Sequence, residues 1–252
     1  MSKIDDYRAI LQGLPDWDAY LLQESGLPGP RGNIELAKAV AEEGDEVLFE
    51  RYRAYDANRA PTNSPEEFLA FCGTLGLGRL LAEGDAGALE RLRGAASDPR
   101  WRTREAVAMA LQRFGTVGMD ALLREMVTWS RGSLLEQRAA AAALCEPALL
   151  KEQSHTEKVL GILDEITSSL QRIEDRRQEE FRVLRKGLGY CWSVAVAAHP
   201  EAGRSLMEKW LESGDRDVQW IMRQNLKKNR LIRMDAEWVA ICRERLERSG
   251  RR

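Results

Sequence analysis

Three short stretches of this chain place residue types together that could hold a ligand. Asp98, Trp101 and Arg104 lie within Asp98-Pro99-Arg100-Trp101-Arg102-Thr103-Arg104-Glu105-Ala106-Val107, and Asp217, Trp220 and Arg223 repeat their spacing. Between these two, Leu135 and Arg138 repeat it without the acid. A carboxylate, an aromatic ring and a cation in one short stretch suggest a site, and Trp101, Trp129 and Trp220 are the rings placed to face a groove. A second candidate is the basic run Arg223, Lys227, Lys228, Arg230 and Arg233, which can grip phosphates with help from Asn225 and Asn229. Each group also has a purely structural role open to it. Asp98 and Asp217 can cap helices, and tryptophans usually serve as buried area. Cations near a helix C-terminus favour its dipole, and Asn229 can form a left-handed cap.

Other chemistries find little support. The two histidines, His155 and His199, have no companion at ligand spacing, and the four cysteines form no C-x-x-C pair, so neither a metal nor a cofactor is expected. Gly73-Thr74-Leu75-Gly76-Leu77-Gly78 follows no strand and precedes no Gly-Lys-Ser/Thr, so close helix packing or a kink is the better reading than a phosphate loop. The paired acids Glu42-Glu43, Glu66-Glu67 and Glu179-Glu180 diverge on a helix. No serine sits in a nucleophile elbow, and no Cys–His pair presents itself.

The elements that must position these groups are helices. Ala, Leu, Glu and Arg dominate, and β-branched or aromatic runs are scarce. Asp16, Asn33, Ser64 and Asp98 mark helix starts. Ser64 with Glu67, Ser133 with Glu136 and Ser154 with Glu157 have capping-box spacing. Gly115 can close the helix that opens at Asp98. A long helix runs through Val159, Ile166 and Ile173, and the tract Arg172 to Glu180 reads as its solvated face. The run Ala139–Ala143 leaves a helix that neighbours can approach closely.

Aligning the three stretches on Arg104, Arg138 and Arg223 gives a repeat of helix-pair length between the first two. In it an aspartate caps, a Trp or Leu wedges between pairs, and the arginine bonds the adjacent repeat. On these residues the chain resembles the HEAT-repeat, or armadillo-like, superfamily. The resemblance implies an all-α fold, an α-α superhelix or HEAT-like solenoid of stacked antiparallel helix pairs. Residues 85–248 form the repeats, 1–84 an N-terminal helical region packed on them, and 249–252 a frayed tail. The Trp- and Arg-bearing helices are also similar to those of the HEAT-like bacterial alkylpurine DNA glycosylases. In those enzymes tryptophans and an aspartate line a basic groove that holds a damaged nucleotide. That likeness implies roles for Trp101, Trp129, Trp220, Asp98, Asp217, Arg104 and Arg138, with no single position matched to the catalytic aspartate.

Charge is split along the chain. Residues 1–100 carry 11 Lys and Arg against 18 Asp and Glu, and the remainder 27 against 22, within a net charge of −2. No run of apolar residues is long enough to span a membrane, and Lys3 to Asp6 lacks the apolar core of a signal peptide, so a cytoplasmic location is expected. The expected function is a scaffold that binds a macromolecular partner, in the first instance a protein, through Trp101, Arg104, Trp129, Arg138, Trp220, Arg223, Lys227, Lys228 and Arg230. The alternative is a DNA-binding or DNA-repair protein that grips nucleic acid through the basic second half. An enzyme is not expected unless it is glycosylase-like.

Overall fold

The computed structural model describes residues 2–249. Among them there are fifteen α-helices and no strand, so the chain is all-α. No helix is long and apolar enough to cross a membrane. The helices divide into two compact units, residues 1–117 and 118–252. The division falls after Val117, whereas the resemblance implies a boundary after residue 84.

The first unit explains that difference. It contains α1 (Lys3–Gln12), α2 (Asp18–Glu24), α3 (Ile34–Glu43), α4 (Glu46–Arg53), α5 (Pro65–Ala82), α6 (Gly87–Ala95) and α7 (Trp101–Val117). The central helix is α5, which packs on α2, α3, α4, α6 and α7. It is buried on every side from Glu67 to Gly78, as expected of a helix with apolar residues all round. Its glycines let the neighbours in. A Cβ on Gly76 would lie 2.4 Å from the Phe49 ring, and one on Gly78 would lie 2.6 Å from Cα of Ala110. The close-packing reading of the glycine run therefore holds. Because α7 supplies the other wall of this core, it belongs with the N-terminal helices and not with the units that follow it.

The second unit contains α8 (Met119–Trp129), α9 (Leu134–Leu144), α10 (Gln153–Leu170), α11 (Glu179–Ala198), α12 (Pro200–Leu211), α13 (Arg216–Leu226), α14 (Asn229–Met234) and α15 (Ala236–Ser249). Consecutive helices pair, α8 with α9, α10 with α11 and α12 with α13. The pairs stack in two rows. One row is α9, α11 and α13, and the other is α8, α10, α12 and α15. The alanine run sits at the contact between α9 and α11, where the Cys191 thiol reaches the Ala141 carbonyl at 3.4 Å. Trp192 fills the layer between rows and donates its indole N–H to Thr167 Oγ1 at 3.0 Å.

The contact between α11 and α13 is held by Asn225, which is fully buried. Its amide oxygen accepts from Ser193 N at 2.8 Å, and its amide nitrogen donates to Leu188 O at 2.8 Å. One side chain thus satisfies two backbone groups of the neighbouring helix and is not available to a phosphate. Replacing Asn225 by Leu removes both bonds from the buried contact, at a cost of about 2–4 kcal/mol. Urea unfolding checks this, and a loss below about 1 kcal/mol would mean that the two bonds add little to the helix ladder.

Several helix boundaries differ from those read in the sequence. The cap of α2 falls at Trp17, and Asp16 stays exposed. The helix opening after Asp98 runs through Gly115, which is buried, and ends at Val117. Ser133 and Glu136 do form a capping box. Ser64 caps α5 without a side-chain bond, because Glu67 is drawn inward to an arginine instead. Ser154 lies inside α10, which starts at Gln153, and Glu157 meets His199 at 3.2 Å. The tract Arg172 to Glu180 is mostly a connection between α10 and α11 rather than a helix face. Residues 250–252 of the expected frayed tail lie outside the described residues.

A candidate nucleic-acid interface

The first candidate stretch lies in the first unit and is largely spent on structure. Asp98 Oδ1 accepts the Arg100 backbone N–H at 2.7 Å, and Asp98 Oδ2 pairs with the Arg100 guanidinium at 2.7 Å. Arg100 also reaches the Tyr55 carbonyl at 2.8 Å. Arg102 pairs with the fully buried Glu67 at 2.9 Å and donates to Gly29 O at 2.7 Å. Arg104 donates to Asp98 O at 2.6 Å and Pro99 O at 2.9 Å, so it closes the start of its own helix. Trp101 alone is open, 47% exposed, with its ring against the Arg102 guanidinium.

These bonds change the alignment of the three stretches. Arg104 is the fourth residue of α7. The fourth residue of α9 is Gln137, which donates to Gly132 O at 3.1 Å, and the fourth of α13 is Gln219, which donates to Ser213 O at 3.0 Å. All three side chains are buried. The recurring device is therefore a long polar side chain one turn into the helix that ties down the preceding loop. Arg138 and Arg223 are not copies of Arg104. Alignment on arginines missed this, because the device needs an N–H donor and not a charge.

The second acid is also engaged. Asp215, not Asp217, caps α13, accepting from the N–H groups of Asp217 and Val218. Asp217 lies between Arg176, at 2.9 Å, and Arg185. The Arg185 guanidinium stacks 4.4 Å from the centroid of the Trp220 ring, whose edge meets α11 at Gly189. Trp220 is a half-buried wedge, and Trp129, 1% exposed, is core and presents nothing to a partner. Burial raises the Asp215 pKa, but its bonds to Arg176 and to the cap N–H groups outweigh that and hold it below the ordinary 3.8. A lowered folded value means that its stabilisation is complete above the unfolded value and is lost as pH falls through the folded one. Asp215→Asn should therefore flatten the acid side of the stability profile below about pH 5, read by thermal melts across that range.

The basic run behaves differently. Arg223, Lys227, Lys228, Arg230 and Arg233 form no ion pair among the described residues. They sit at the end of α13, in α14 and in the turn between them. Asn229 opens α14 and does not adopt a left-handed conformation. On α11, Arg182, Lys186 and Tyr190 recur at helical spacing, are exposed and continue this surface. Neither cation there has an ion pair either, and Glu179 heads the same stripe. The stripe is flanked by α9, where Arg138 lies against Gly187, and by α13, where Trp220 and Gln224 lie against Gly189. Tyr190 joins the two groups. It is 45% exposed, its hydroxyl accepts from Arg230, and Lys228 and Arg230 lie 5.4 and 4.7 Å from its ring centroid.

Beyond Tyr190 the stripe ends in a cavity of about 650 Å³. Lys228, Arg230 and Arg233 line it together with Pro147, Ala197 and Ala198. Arg182, Lys186 and Tyr190 were not among the residues first singled out as a site, whereas Arg233 belonged to the basic run. Their i, i+4 recurrence was the signal that could have found them. Among the described residues no three metal-binding side chains gather. The chain matches no family model, no curated protein and no solved structure.

Proposed function

We propose that this protein is a helical binding scaffold whose second unit grips the phosphate backbone of a nucleic acid. One observation carries the reading, the row of unpaired cations from Arg182 and Lys186 through Arg223, Lys227, Lys228, Arg230 and Arg233. Buried and half-buried arginines elsewhere in the fold are matched to a carboxylate or a carbonyl, as Arg100, Arg102, Arg176 and Arg185 are. Cations gathered with no ion pair among the described residues suit a polyanion, whose bound counterions they displace. An aromatic ring set among them suits a base. The two rows of helix pairs in this unit fit a HEAT-like repeat, a scaffold that presents side chains along one face.

The repair-enzyme reading is weaker on this geometry. A glycosylase of the kind the tryptophans suggest uses a carboxylate beside the bound nucleotide, and Asp98 and Asp217 are both engaged by arginines. A protein partner is the second reading, favoured by the open Trp101 ring on the first unit.

The test is fluorescence anisotropy with labelled oligonucleotides across a salt series. The expected result is binding at about 50 mM salt that weakens with a log–log slope near −0.7 to −0.9 per phosphate contacted. No binding at low salt would sink the proposal.

A further inference from the structure

The cavity at the end of the stripe differs chemically from the open face that leads to it. Duplex backbone needs only a row of cations at the surface. Here an open concavity of about 650 Å³ is lined by both cations and apolar side chains, a volume within the range of small-ligand sites. Val194, Ala197 and Ala198 continue the face of α11 that carries Lys186 and Tyr190, so the exposed ring stands at the mouth. Lys228 and Arg230 serve both, since each lines the cavity and lies over the Tyr190 ring.

We infer that the cavity receives one unstacked nucleotide of a single strand, so that this face prefers single-stranded to duplex nucleic acid. The inference rests on the nucleic-acid reading of the face and deepens it. The flat base and sugar lie along Pro147, Ala197 and Ala198. The phosphate meets Lys228, Arg230 and Arg233, and the next base stacks on Tyr190. A paired base cannot enter without first leaving its helix, and the energy of that step weighs against duplex. A single strand has already lost its pairing and gains the stacking surface.

The experiment compares a labelled single strand of about 12 nucleotides with the duplex of the same sequence at equal salt, and the expected result is about tenfold tighter binding of the single strand. Ala198→Trp fills the cavity from an exposed position, and it should bring the ratio of the two affinities to within about twofold. Arg233→Gln is a second variant, which should lower the same ratio without adding bulk. Thermal melts of both variants confirm that they are folded. A strand with 2-aminopurine at successive positions adds a direct reading, since the base taken into the cavity should change its emission on binding. If neither oligonucleotide binds, the reading of the whole face fails and this inference fails with it. If both bind equally, or the preference survives Ala198→Trp, the basic face stands and the nucleotide cavity is overturned.

Discussion

Replacing Lys227, Lys228 and Arg230 together by glutamine should lower nucleic-acid affinity by on the order of a thousandfold at about 50 mM salt, roughly tenfold for each phosphate contact removed. The effect should shrink as salt rises, because the lost term is counterion release. The salt slope itself should fall by about 2 to 3 units, and that change identifies the mechanism better than the affinity does. None of the three side chains holds the fold together through an ion pair, and Lys227 is exposed. Arg230 does give up its bond to the Tyr190 hydroxyl, which is a surface contact. The melting temperature should therefore stay close to that of the parent. Anisotropy titrations at several salt concentrations measure both quantities. An affinity loss with an unchanged slope would point to a shape effect and would remove the phosphate assignment.

The second large effect belongs to the fold. Arg102→Met should destabilise the first unit by about 3–5 kcal/mol, because it strands a buried carboxylate. Glu67 is fully buried, and its Oε2 accepts from Arg102 at 2.9 Å and from Asn63 N at 2.7 Å. Its Oε1 has no hydrogen-bond partner among the described residues. The same guanidinium donates to Gly29 O and to Asn63 Oδ1, so it ties two loops to the buried end of α5. Removing it leaves the charge without compensation and frees both loops. Removing the carboxylate as well, in Arg102→Met with Glu67→Met, should recover a large part of the loss, since the expensive group is then gone. Denaturant unfolding followed by circular dichroism measures both variants. A loss under about 1 kcal/mol in the single variant would show that water reaches the pair.

Neither result depends on Asp98, Trp101 or Arg104, the residues that looked most like chemistry. Asp98, Trp101 and Arg104 are close in sequence because Asp98 braces Arg100 just ahead of the helix and Arg104 ties down the preceding turn. Asp217 and Trp220 are close because an ion pair and a wedge hold α13 to its neighbours. Short spacing is a weak guide to a site when the same residue types also build helix ends.

What the sequence determined by itself was the all-α class, most helix positions and the close packing at Gly76 and Gly78. These rest on local rules, namely propensity, caps and the period of apolar residues, which need only neighbours a few positions away. It also showed the basic run at Lys227, Lys228 and Arg230, since charge is legible without a fold. The tertiary structure decided which of the cations are engaged. Arg102 and Arg176 are matched by acids 35 and 39 positions away, and such pairings follow from packing rather than spacing. It decided that Asn225 is buried between α11 and α13 while Tyr190 stands among cations from another helix. It also decided which residues correspond, because Arg104, Gln137 and Gln219 share a role through the direction of one hydrogen bond and not through a shared residue type.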